Sequence, residues 1–386
     1  MKIDIGVGGR FWSDRLAEVL RADGNDVRLY STLPRSRFPT LPVARVHSFV
    51  FPEIVFRLAG KLGFSDWGDL FKIEHFGREL AAALAQGEPA DLFIGWSSFS
   101  LETIRHRNSQ NLTSILVRDS CHITHQTEAL KREYAKWGGT LPDRGRCVVR
   151  ELEEYALATR VWVPSPLARR TFIEQGADPF RVDVVELGAD LSVFRPAAKL
   201  APAKPLRVVY FGSLSIRKGI PYLLEATKKF AKSDLELLLI GSVEPACAAI
   251  LAKHTHFTHL PAQRQEKLSD IISAYHVAVL PSIEDGFGLV VPQAMAAGLI
   301  PVVSRGCGAV ELIRDGQNGF SVPVADSRSL TGTFEKILGL SEADRTMIRD
   351  AAMATAQKTT WKRHERSIRS LVGGLRLLGS VGGVKY

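Results

Sequence analysis

The stretch Pro281-Ser282-Ile283-Glu284-Asp285-Gly286-Phe287-Gly288-Leu289-Val290-Val291-Pro292-Gln293-Ala294-Met295-Ala296-Ala297-Gly298 follows a short apolar run, Val277–Leu280, and leads through a turn with two glycines into an Ala-rich helical segment. A strand that ends in a glycine turn and restarts as a helix is the repeating unit of an open α/β sheet, where ligands bind at the carboxyl ends of the strands. The backbone N–H groups of Gly286, Phe287, Gly288 and Leu289 are candidates to meet an anion near the positive end of that helix, and a diphosphate suits them. Asp285, just before the turn, repels phosphate and is expected instead to hydrogen-bond the hydroxyls of an attached sugar. Gln293, about two helical turns beyond the start of the turn, is a second candidate for the same cleft.

The same alternation runs outward in both directions. At roughly 150 residues per domain, 386 residues predict two to three domains. Lys2–Val7, Val27–Tyr30, Leu92–Gly95, Ser114–Val117 and Val161–Val163 form one series of strand candidates. Arg207–Phe211, Leu235–Ile240, Val277–Leu280 and Ile300–Ser304 form a second. Between them Ala197–Pro205, rich in Ala, Lys and Pro, resembles an interdomain linker. The expected organisation is a first Rossmann-like domain at 1–196, a second at 197–360 and a terminal helix at 361–386, with a ligand cleft between the domains. In the terminal segment Ile368, Leu371, Val372, Leu375 and Leu378 form one apolar stripe of a helix running from about Trp361 to Leu378.

With 45% hydrophobic and 24% charged residues, the composition excludes a disordered or collagen-like chain. A net charge of +9 invites an anionic partner. Seven basic residues against one acidic lie in 351–386, however, so the rest of the chain is nearly balanced. That confinement, together with the lack of a recognisable motif, argues against a nucleic-acid partner. The basic terminal helix fits either a solvated face above a packed stripe or a peripheral contact with an anionic membrane. Cys121, Cys147, Cys247 and Cys307 are too dispersed for a C-x-x-C pair and too few for a disulfide scaffold, so reduced, buried thiols are expected. Without a signal-like N-terminus or ~18 consecutive apolar residues, the expected location is cytoplasmic, with at most peripheral attachment to a membrane.

The stretch 281–298 resembles the signature of the retaining, nucleotide-sugar-dependent glycosyltransferases of family 4, which have the GT-B fold: Pro-Ser-x-x-Glu-Gly-Phe-Gly-Leu-x-x-x-Glu-Ala-Met-Ala-x-Gly. Asp285 stands at the first Glu and Gln293 at the second. The likeness continues through Pro301-Val302-Val303, Gly308-Ala309-Val310-Glu311 and Asp315-Gly316-Gln317-Asn318-Gly319-Phe320. Upstream, Tyr210-Phe211-Gly212-Ser213-Leu214-Ser215-Ile216-Arg217-Lys218-Gly219 resembles the family's donor-phosphate loop, Gly-Arg-Leu-x-x-x-Lys-Gly, with Lys218 on the Lys and Ser213 in place of the Arg. Glu186-Leu187-Gly188-Ala189-Asp190 through Phe194-Arg195-Pro196 resembles the segment that closes the first domain, and Thr360-Trp361 the start of a terminal helix that crosses back onto it.

The resemblance implies a metal-independent enzyme without a cofactor. Its donor substrate is a nucleotide diphosphate sugar, and it passes the sugar, with configuration retained, to a hydroxyl of a glycan, lipid-linked or small-molecule acceptor held mainly by the first domain. Lys218 then stabilises the negative charge that develops on the leaving phosphate. Arg217 is either a second cation there or a solvent-exposed neighbour. Asp285 is preferred to Glu284 because it keeps the family's seven-residue spacing, and Gln293 offers an amide to a ribose where the family has a carboxylate. In the first domain the strand Ser114–Val117 runs into Arg118-Asp119-Ser120-Cys121-His122-Ile123-Thr124-His125. The family places a His after this strand near the donor sugar; His122 is the candidate and His125 the second choice. The two are also spaced for a metal, but no further ligand stands at a fitting distance in the sequence. Gly9, in Gly8-Gly9-Arg10 after the first strand, fits the family's Gly-rich loop, as it fits any β-to-α turn. The same cleft would serve a sugar-nucleotide epimerase or a phosphorylase, and the departures at Ser213, Asp285 and Gln293 also fit a nucleotide-sugar-binding protein without turnover.

Overall fold

Strands buried on both faces need near-continuous apolar side chains, and such strands pair in parallel with helices covering each face. The computed structural model describes residues 1–197 and 204–380, and it follows this rule twice. The first sheet contains β1 (Lys2–Val7), β2 (Asp26–Ser31), β3 (Val46–Ser48), β4 (Leu92–Trp96), β5 (Thr113–Val117), β6 (Arg160–Val163) and β7 (Val182–Val184), in the order β3-β2-β1-β4-β5-β6-β7. The second contains β8 (Leu206–Phe211), β9 (Leu235–Ile240), β10 (Phe257–Leu260), β11 (Val277–Leu280), β12 (Ile300–Ser304) and β13 (Phe320–Val322), in the order β10-β9-β8-β11-β12-β13. Every pairing is parallel, with Ile3 opposite Val27 and Val277 opposite Val208 and Ile300. In each sheet the strand order reverses once, between β1 and β4 and between β8 and β11, and these switch points open the crevices in which such sheets bind ligands.

All nine strands expected from the sequence are present, with bounds shifted by no more than one residue. The four that were not expected, β3, β7, β10 and β13, are the edges of the two sheets. The linker stretch Ala197–Pro205 lies largely outside the described residues. The four cysteines are buried and unpaired.

The last helix, Trp361–Ser380, returns to the first half. Its Ile368 and Val372 are buried in one core with Ile3, Ile5, Leu16 and Leu20, and Leu371 and Leu375 pack against that core. Leu378, Arg376 and Lys385 fall outside the residues whose side chains are described. The helix starts where Thr360 forms a parallel bridge with Ala189, and a Cβ on Gly188 would lie 2.6 Å from the Trp361 Cα. Among the described residues no helix is long and apolar enough to cross a membrane.

Candidate functional site

The switch point of the second sheet carries the two segments singled out in the sequence. The loop after β8 ends at Gly219, whose φ of +72° caps the helix Ile220–Thr227. A Cβ there would approach the Pro281 carbonyl oxygen to 1.9 Å, so glycine is what lets this loop lie against the loop after β11. The contact brings Lys218 to Asp285, and their Nζ and Oδ2 atoms form an ion pair that is 15% and 14% exposed. The Asp285 backbone is fixed on both sides, its N–H donating to the Gly306 carbonyl at 2.9 Å and its carbonyl accepting from the Gly308 N–H at 2.9 Å. The carboxylate therefore faces a cleft of about 420 Å³, lined by Lys218, Asp285, Phe287, Gly288 and Leu289 on one side and by Phe11, Trp12, Asp119 and Trp361 on the other.

Glu284, one residue earlier, turns the opposite way and is buried between the halves. It accepts from the Ser120 hydroxyl at 2.6 Å, the Cys121 N–H at 3.1 Å and the Gln126 amide at 2.6 Å. Burial pushes this carboxyl up, but the Arg217 guanidinium 3.6 Å away and the three hydrogen bonds outweigh it and hold the group at about 2. Arg217 also donates to the Glu284 carbonyl at 3.1 Å. It is committed to this interdomain carboxylate and does not line the cleft. Gly286 touches the first half directly: a Cβ on it would lie 2.5 Å from the Ser120 Cα, and its carbonyl accepts from the Ser165 hydroxyl at 2.6 Å.

The remaining sequence candidates lie back from the cleft wall. Ser213 donates to Glu244 at 3.0 Å, while its carbonyl accepts from the Tyr210 hydroxyl at 2.7 Å. Gln293 is half-buried on the short helix Val290–Ala296 and is not among the lining residues. The Gly9 carbonyl accepts from the Ser31 hydroxyl at 2.8 Å, which holds the loop that carries Phe11. His122 departs most from expectation. Its ring caps the helix Ile123–Lys136, accepting from the Thr124 N–H at 3.3 Å, and lies 5.0 Å from Tyr155 and 4.8 Å from Phe172 in the core of the first half. Burial, with Arg118 nearby, lowers it to about 4, and the ring is not among the residues that line the cleft of Lys218 and Asp285. The reason is helical geometry: an N-cap side chain folds back over its own first turn.

The residue from the same loop that does reach the cleft is Asp119, which the sequence reading passed over. Its Oδ1 accepts from the Trp12 indole N–H at 2.9 Å and its Oδ2 from the Trp96 indole N–H at 2.8 Å. The available signal was position, since Asp119 stands just past the carboxyl end of β5, one strand from the switch point. A larger cavity, about 500 Å³, lies between the helices Ile123–Lys136 and Gly145–Leu157, and none of the candidate residues line it.

This geometry agrees with what the chain is similar to. Residues 194–353 match the model of the family Glycosyl transferases group 1. The D-inositol 3-phosphate glycosyltransferase of Acidothermus cellulolyticus is 27% identical over 281 residues, 66% of this chain and 61% of that protein. The protein of the same name from Nocardia farcinica is 28% identical over 250 residues, 58% of this chain and 55% of that protein. The chain thus matches less than two thirds of the length of these relatives. Two solved structures superpose over nearly the whole chain. Sucrose-phosphate synthase from Thermosynechococcus elongatus gives a TM-score of 0.72 at 20% identity, covering 99% of this chain and 100% of that one. HepE from Anabaena, in complex with UDP, gives 0.67 at 16% identity, covering 97% and 100%. The fold is GT-B. The group 1 match spans the whole Lys218–Asp285 side of the cleft, and the GT-B superposition extends through the first half and its aromatic wall.

Proposed function

We propose that the protein is a retaining, metal-independent glycosyltransferase that moves a sugar from a nucleotide diphosphate sugar to an acceptor hydroxyl of a glycan, a lipid-linked glycan or a small molecule. The observation that carries this reading is the Lys218–Asp285 pair set beside the Gly286–Leu289 turn on one wall of a cleft between two Rossmann-like halves. The donor diphosphate lies against the turn, where Lys218 offsets the charge that grows on the leaving phosphate as the sugar departs. Asp285, released from Lys218 by the diphosphate, takes hydroxyls of the transferred sugar. The acceptor hydroxyl attacks from the side of the departing phosphate, which takes its proton. The curated relatives, named as glycosyltransferases, and HepE, which has been solved in complex with UDP-glucose, support a nucleotide-sugar donor. Ile368, Leu371, Val372 and Leu375 of the terminal helix are packed, and its Arg363 and Arg369 pair with Glu186 and Asp23, so a contact with an anionic membrane would use the polar side of this part of the helix.

The test is a thermal-shift panel of UDP, GDP and ADP and their sugars, in which a specific ligand raises the melting temperature through binding linkage. One nucleotide series is expected to shift it, and the shift should be lost in Lys218→Ala. A panel with no shift for any member overturns the donor assignment. Product analysis with donor alone and with acceptor separates transfer from epimerisation and phosphorolysis.

A further inference from the structure

The first-half wall of the cleft has a chemistry of its own. Phe11 is 58% exposed, sits at a φ of +44° and stacks on Trp96 at 6.2 Å with an interplanar angle of 23°. Trp12 meets Trp96 edge-on at 5.0 Å. Beneath these rings the two indole N–H groups hold the Asp119 carboxylate in one orientation, each taking one oxygen and leaving each oxygen a further lone pair. The Asp119 backbone lies against the Gly286 turn, where a Cβ on Gly286 would be 2.7 Å from the Asp119 carbonyl oxygen, and Asp119 lines the same cleft as Phe287, Gly288 and Leu289.

An open aromatic face beside an oriented carboxylate suits a ring with an apolar C–H face and hydroxyls at its edge. It does not suit a phosphate, which the carboxylate repels. Of the cations on the same loop and helix, Arg10 binds Asp14 through Nε at 2.9 Å and Nη2 at 2.7 Å, and Arg15 is stacked 4.6 Å over the Trp361 ring. Across the cleft, Lys218 pairs with Asp285.

We infer that this wall is an acceptor subsite for an uncharged sugar or polyol, with Phe11 carrying its ring face and Asp119 accepting from the hydroxyl nearest the donor. The inference rests on the proposed transfer for what the bound polyol is for, and on the wall alone for its being bound. It separates this chain from an enzyme whose acceptor presents a phosphate at this position.

Trp12, Trp96 and Trp361 are three of the six tryptophans, so intrinsic fluorescence reports on the subsite. The full-length protein is titrated with myo-inositol, glucose and methyl glucoside and with inositol 3-phosphate and glucose 6-phosphate, each with and without UDP, GDP or ADP. At least one neutral polyol is expected to give a saturable change and to bind at least tenfold more tightly than its phosphorylated counterpart. Phe11→Ala, which alters an exposed side chain, and Asp119→Asn are each expected to weaken that binding at least tenfold. Tighter binding of the phosphorylated form, unchanged polyol affinity in Phe11→Ala, or no saturable response to any neutral polyol overturns the assignment. Polyol binding without any nucleotide binding supports the subsite and sinks the donor reading; nucleotide binding without polyol binding does the reverse.

Discussion

Two adjacent carboxylates show how one bond of chain decides a side chain's work. Asp285 looks into the cleft and Glu284 into the domain boundary, and sequence spacing alone separates them only by counting seven residues to position 293. Removing the cleft cation is expected to remove chemistry rather than fold: Lys218→Ala should lower transfer by roughly 10²- to 10³-fold, as loss of a charge-stabilising group does in other active sites. Steady-state turnover against melting temperature checks this. Glu284→Ala should act in the opposite way, leaving Arg217 beside an empty interface and costing about 3–5 kcal/mol in urea unfolding. At this scale the sequence was least legible where partners are distant. The ring of His122 meets Tyr155 and Phe172, 33 and 50 positions later, and nothing local in Ser120-Cys121-His122 announces them. Asp119 was obscured for the same reason, because the Trp12 and Trp96 donors that orient it come from the turn after β1 and the end of β4.

Among elements, the central strands were legible because burial on both faces leaves a run of Val, Ile and Leu that periodicity detects. The edge strands β3, β7 and β13 are three residues long, and β10, Phe-Thr-His-Leu, is half exposed and lacks the apolar run of the four-residue β11, so only pairing with a neighbour defines them. The stripe of the last helix was legible, whereas the role of its His364 was not. That ring lies 4.7 Å from Trp12 and 5.1 Å from Trp361, with Nδ1 2.8 Å from the Glu186 carbonyl. Burial lowers it to about 4 against an ordinary 6.5. A base whose folded value is depressed loses stability as pH falls from the unfolded value toward the folded one. Relative to His364→Asn, the wild-type protein should therefore become less stable between about pH 6.5 and pH 4, by up to roughly 3 kcal/mol, and the difference should level off below. Urea midpoints of both proteins across that window measure it. Gly286→Ala tests the contact between turns: its Cβ meets backbone, not a flexible side chain, and the misfit should cost about 1–3 kcal/mol by the same assay.

On the scale of the whole molecule, Glu284 ties the halves together in a pH-dependent way. Its folded value of about 2 lies below the ordinary 4.5, so the stabilisation it provides is complete above about pH 4.5 and is lost as pH falls toward 2. Acidification to pH 3 should narrow the difference in unfolding free energy between the wild-type protein and Glu284→Gln. A gap that stays constant down to that pH would remove the carboxylate from the interface energetics. The charge of +9 has no counterpart in the cleft, where one lysine already faces one aspartate.

The described first half ends at Ala197, beside Pro196, which a Cβ on Gly298 would approach to 3.0 Å, and the chain rejoins that half where Thr360 bridges to Ala189. A body joined to another at two neighbouring points behaves as a door on two knuckles: it swings about the line through them and resists twisting across it.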